Sequence, residues 1–154
     1  MTALGSFTSG QVLTAQDLNE IGTWQDFTPN WSGLTEGNAP TTIYKYLKLN
    51  EIVFVKLYLQ FGSTTAITGS VTFEPPVASD NYFSEFSQGN VLCEDNTGTD
   101  YWGTLFRLNS TTSTVRVYNS STTYLSSTDL SSTVPFTWNT NDKLSIEMWY
   151  RTTV

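Results

Sequence analysis

The side chains suited to chemistry are few. The chain has no histidine and one cysteine, Cys93, so no Ser-His-Asp or Cys-His pair can be assembled. The usual nitrogen ligand for zinc is missing as well. Fourteen Asp and Glu remain. A glycosidase needs two of them facing each other across a cleft, and nothing in the spacing selects a pair. Glu94 to Asp100 has the oxygen density of a calcium loop, yet it lacks the alternating acidic positions and the distal Glu of an EF-hand; a solvated β-turn accounts for it. No catalytic residue, metal site or cofactor is therefore expected. What is left is stacking. Tyr82, Tyr101, Trp102, Tyr118 and Tyr124 stand among Ser, Thr and Asn and are the candidate platforms for sugar rings, although aromatics of a β-protein more often fill its core because they bury so much surface.

The elements that must position such residues are strands. Ile43 to Phe61 holds the densest run of β-branched and aromatic residues in the chain, which is what a pleated, packed surface prefers. In its second arm Val53, Val55, Leu57, Leu59 and Phe61 alternate with Ile52, Phe54, Lys56, Tyr58 and Gln60, so one face belongs to a core. A two-residue turn at Asn50-Glu51 sets Lys45 opposite Lys56, and like charges directly opposite are unfavourable. A three-residue turn, Asn50-Glu51-Ile52, instead pairs Leu49 with Val53, Leu47 with Val55 and Ile43 with Leu59, and is the expected register, with Asn50 at positive φ. Tyr44, Tyr46, Ile52, Phe54 and Tyr58 then fall on the face away from the core. That aromatic patch is larger than soluble monomers leave exposed. A neighbouring subunit is the expected cover, with the N-terminal helix as the alternative.

Composition agrees with this picture. Charged residues are only 14% of the 154 and the net charge is −7, so polar surface must come from Ser, Thr, Asn and Gln. The seven Lys and Arg never cluster, which argues against a nucleic-acid partner, since phosphate binding needs grouped cations. No stretch is long and apolar enough to enter a bilayer, and Met1 to Gly10 lacks the marks of a secretory signal; folding in the cytoplasm is expected.

Val12 to Gly22 reads as a short helix. Thr14 is its N-cap, Leu13 and Leu18 form a hydrophobic staple, and Gly22 stops it. At about two turns it is too short to stand alone. Beyond it come eight to ten short strands: an edge segment, Trp24 to Trp31, interrupted by Pro29; a loop, Ser32 to Thr41; the hairpin; Ser70 to Glu74; Asn90 to Glu94; Tyr101 to Leu108; Thr114 to Tyr118; Thr122 to Leu125; Pro135 to Trp138; and Leu144 to Arg151. The spacing predicts an all-β fold, a single antiparallel β-sandwich of jelly-roll type with one short N-terminal helix. Residues 1–22 are an arm for attachment or oligomer docking, and residues 23–154 the β-domain.

Several motifs in order resemble tailed-bacteriophage fibre and minor tail proteins. They are Phe7 to Asn19 (FTSGQVLTAQDLN), Trp24 with Phe27-Thr28-Pro29 and Trp31, Gly37-Asn38, Leu59 to Thr65, Val71 to Val77, and Pro135 to Trp138 followed by Asn141 to Leu144 and Tyr150. The likeness is weakest from Ala78 to Thr133, and Asn50 stands where such proteins tend to have Gly. The resemblance implies a non-enzymatic structural component of a virion, made in the bacterial cytoplasm, that assembles with itself as a homotrimer and with other virion proteins. It also makes Phe7, Val12, Leu13, Leu18 and Ile21 the candidates for anchoring to the particle. The alternative reading is a carbohydrate-binding module for host surface glycans.

Overall fold

In the computed structural model, residues 22–79, 87–107, 111–119 and 125–152 are described. Ten strands run through them: β1 (Gln25–Asp26), β2 (Asn30–Thr35), β3 (Thr41–Leu49), β4 (Ile52–Gln60), β5 (Ala66–Glu74), β6 (Ser87–Glu94), β7 (Asp100–Arg107), β8 (Ser113–Asn119), β9 (Ser126–Asp129) and β10 (Lys143–Arg151). There is no helix among the described residues. The expected helix from Val12 and the anchoring residues Phe7, Val12, Leu13, Leu18 and Ile21 lie outside them. Gly22, where that helix should stop, has φ of +80°.

The strands are antiparallel and follow the order β1-β3-β4-β10-β6-β7-β8-β5-β2, with β9 on β8. The expected sandwich of two sheets is corrected here to one sheet that curls until its ends approach. Trp31 of β2 stands edge-on to Tyr44 of β3 at 6.1 Å between ring centroids. The place where a sandwich would divide is the β5–β8 junction, which has only the pairs Thr72–Thr114 and Phe73–Ser113. The Leu130 backbone holds it together, accepting from Val71 N at 3.1 Å and donating to Val115 O at 2.9 Å.

The concave side is the core. Val53, Val55, Leu57, Leu59 and Phe61 are buried there as the alternation requires, in one cluster with Val71, Phe73, Leu105, Val115, Leu144 and Ile146. Each such side chain contributes about 1.5–3 kcal/mol through removal from water. An aromatic stack closes one end: Phe61 and Trp138 lie 4.7 Å apart, Trp138 and Phe136 4.6 Å, Phe136 and Tyr101 5.5 Å. Pro135 to Trp138, expected as a strand, is this plug, and Trp138 Nε1 is held by Ser131 O at 3.2 Å.

Two further expectations are corrected. The β3–β4 turn has two residues, and the register is Leu49–Ile52, Leu47–Phe54, Lys45–Lys56 and Ile43–Tyr58. Asn50 does take positive φ, at 53°. Lys45 and Lys56 tolerate each other because each has its own carboxylate on the next strand, Asp26 at 2.7 Å and Glu147 at 2.8 Å. Ser32 to Thr41 is no loop at its start: residues 30–35 form β2, with a bulge between Ser32 and Leu34 where Gly33 has φ of +74°. Of the strand expected at Thr122 to Leu125, residues 122–124 lie outside the described residues, and β9 spans Ser126–Asp129. The edge position of the Pro29 segment holds: β1 and β2, on either side of it, are the two ends of the strand order.

A candidate interaction surface

The short turn shifts every residue of β3 to the other face. Tyr44 and Tyr46, expected on the outside, sit opposite Leu57 and Val55 and pack against the core. Ile43, Leu47 and Leu49, expected inside, join Ile52, Phe54 and Tyr58 on the convex face. The Tyr46 hydroxyl donates to Gln25 Oε1 at 2.7 Å. The Tyr44 phenol is raised well above its usual pKa, first by burial and then by the Glu36 carboxylate beside it.

Cross-strand pairing lays out the convex face in rows. One row runs Leu47–Phe54–Trp149 across β3, β4 and β10. The next runs Lys45–Lys56–Glu147–Asn90–Thr104–Arg116–Asp129. A third runs Ile43–Tyr58–Ser145–Leu92–Trp102, with Tyr118 beyond it on β8. Trp102 and Trp149 are each 61% exposed, and Trp24, Ile43, Leu49, Phe54 and Tyr118 are exposed too. They are seven of the eight large exposed hydrophobics among the described residues; the eighth, Leu125, precedes β9.

Between Trp24 and Trp149 the face is grooved. The groove has a volume of about 340 Å³, with Phe54, Lys56, Asn90 and Glu147 lining it. Trp24 reaches it from the residues just before β1. A second shallow recess lies on its other side, against Ile43, Lys45 and Lys56.

Five ion pairs stud the same face: Lys45–Asp26, Lys56–Glu147, Arg116–Asp129, Lys143–Glu94 and Arg151–Glu51. Their charges cancel, five against five, and they use five of the seven cations in the chain. The net −7 therefore belongs to the rest of the molecule. Each pair is solvent-exposed and contributes little to stability, and Asp100, opposite Glu94, adds an acidic side chain to the same face.

The remaining candidates are accounted for locally. Tyr101 turns inward to the Phe136 plug, whereas Trp102 and Tyr118 stand on the convex face; Tyr82 and Tyr124 lie outside the described residues. In the acidic loop, Asp95 Oδ1 accepts from Thr97 N at 2.8 Å and Thr97 Oγ1 at 2.9 Å. Glu94 pairs with Lys143. Among the described residues no three His, Cys, Asp or Glu side chains come together as metal ligands would. Cys93 is buried, and burial pushes its thiol well above the usual range, far from the thiolate a nucleophile needs.

Trp24 and Trp149 were not among the residues expected on this surface. The signal for Trp149 was present, since it alternates with Met148 and Tyr150, which are buried. No protein-family model, curated protein or solved structure matches this chain.

Proposed function

We propose that this chain is a non-enzymatic structural component of a tailed-bacteriophage virion, acting through association with copies of itself and with other virion proteins. The observation that carries the reading is the convex face: exposed aromatic and aliphatic side chains in rows, set among ion-paired side chains. Contiguous apolar surface of that kind marks a contact surface, and interface cores are rich in aromatics. The ordered motifs from Phe7 to Tyr150 support the virion assignment, and the all-β fold is compatible with it. Residues 1–22, with Phe7, Val12, Leu13, Leu18 and Ile21, are the arm through which it attaches to the particle.

Antibody against the purified chain, used to label intact particles from a lysate of producing cells, tests this reading. Labelling at a fixed position on the particle is expected. Particles that carry none of the chain would overturn it. A glycan-binding role is the second reading, favoured by Trp102 and Tyr118 standing exposed on neighbouring strands beside Thr104 and Arg116. Binding on a glycan array that is lost in Trp102→Ala would move the assignment to that class.

A further inference from the structure

We propose that the groove between Trp24 and Trp149 binds a neutral oligosaccharide, with a sugar ring laid on its aromatic wall and the ring's hydroxyl edge turned to the Lys56–Glu147 pair. This goes beyond the virion assignment and does not depend on it. It also places the sugar away from Trp102 and Tyr118, which are not part of the groove's lining.

The two walls come from adjacent rows of the sheet. Phe54 pairs with Trp149; two residues along the same strands, Lys56 pairs with Glu147, which in turn pairs with Asn90 on β6. Two residues of strand separate these rows by about 7 Å. One wall is therefore aromatic and the other polar, and Trp24 closes one end. Trp149 is 61% exposed, so most of its ring is available. An indole has only two side-chain torsions, so holding it against a ligand costs little entropy.

This lining is wrong for a purely apolar ligand, which would strip water from Lys56, Glu147 and Asn90 and return no hydrogen bond. It is also wrong for an anion. Lys56 is already paired with Glu147 at 2.8 Å, and a chain of net charge −7 repels negative ligands. A sugar ring suits both walls at once. One face of a pyranose is a sheet of C–H groups that lies flat on an indole, and its rim is hydroxyls, each both donor and acceptor. From ring centre to hydroxyl oxygen is about 3 Å, and a hydrogen bond adds about 3 Å more. A ring on the Phe54–Trp149 row therefore reaches the Lys56–Glu147 row. The ion pair has capacity left, since Lys56 Nζ donates to Glu147 Oε1 while an ammonium has three donors and a carboxylate two oxygens. Bonds from such charged groups to hydroxyls are stronger than neutral ones. At about 340 Å³ the groove is at the small end of ligand sites. The recess beyond Trp24, against Ile43 and Lys45, extends it, so a short oligosaccharide is the fitting ligand.

The chain has five tryptophans, and their indole N–H signals in proton–nitrogen NMR report on the site directly. Maltotriose, cellotriose, mannotriose and galactotriose are titrated separately into the full chain, with trigalacturonate as the acidic counterpart. At least one neutral trisaccharide should shift the Trp24 and Trp149 signals with a millimolar dissociation constant. Trp31 and Trp138, whose indoles donate to Glu36 and Ser131, should not move, nor should Trp102. Trigalacturonate should bind about tenfold more weakly or worse. Trp149→Ala should weaken binding by about tenfold or more, read on the Trp24 signal, and Glu147→Ala by about fivefold, both with unchanged circular dichroism. Trp102→Ala should leave it unaltered. Silence of Trp24 and Trp149 with every neutral trisaccharide, shifts confined to Trp102, or trigalacturonate binding as tightly as the neutral sugars overturns the inference. Shifts confined to Trp102 would support the second reading above instead. None of these results alters particle labelling, so the virion assignment keeps its own test.

Discussion

At the scale of single residues, two buried polar groups matter most. Asp142 is buried, and its carboxylate accepts from Asn96 N at 2.9 Å and from Asn139 N at 2.5 Å. It thereby ties the β6–β7 turn to the segment before β10. Asp142→Asn keeps one acceptor and points a donor at the other amide, leaving a buried N–H unpaired. A loss of about 3 kcal/mol is expected, read from urea unfolding. Tyr44 gives a pH signature. Its folded pKa is raised, while an unfolded tyrosine ionises near pH 10. The unfolded chain therefore releases this proton first, and the stability linked to it is whole below pH 10 and lost as pH rises beyond. Tyr44→Phe should show a shallower alkaline fall in stability than the native chain, measured by unfolding from pH 9 to 11. An equal slope would mean that the phenol is not held apart from water.

At the scale of elements, the lesson is how far a strand can be understood alone. The core face of β4 was legible because five alternating apolar positions leave one solution. Its partner β3 was not, because the decisive charges lie outside the hairpin. Lys45 against Lys56 is unfavourable for two strands, and becomes acceptable once Asp26 and Glu147 flank them. One residue of turn length then exchanged the faces of Tyr44 and Tyr46 with those of Ile43, Leu47 and Leu49, and with them much of the candidate surface. Likewise Gly33 and Gly37 made Ser32 to Thr41 look like loop throughout, although Gly33 is the bulge of a strand. A Cβ there would stand 2.3 Å from Ser70 O, at φ of +74°. Gly33→Ala should cost about 2–4 kcal/mol, since the left-handed backbone alone costs about 1–2 and the β5 backbone must also give way. Asn50→Gly, at a turn position that already requires positive φ, should change stability by less than about 0.5 kcal/mol or raise it slightly. Paired melts of the two variants test both statements.

At the scale of the whole molecule, the last strand occupies the middle of the sheet. β10 pairs with β4 through nine residue pairs on one side and with β6 through six on the other, so in the strand order of the described residues it links β1, β3 and β4 to β6, β7 and β8. Leu144, Ile146, Met148 and Tyr150 carry its core face, and the Tyr150 hydroxyl donates to Val77 O at 2.7 Å. The β3–β4 hairpin can form early from local contacts, but most of the apolar face of β4 stays open until β10 arrives from some 85 residues further on. Pairing at such separation is slow and makes the two halves interdependent. Ile146→Ala should therefore cost about 2–5 kcal/mol and lower the midpoint of the entire fold together. Hydrogen exchange on the variant should show equal loss of protection in β4 and in β7, strands on opposite sides of β10. Loss confined to one side would mean that the sheet unfolds in two parts, and that β10 merely borders them.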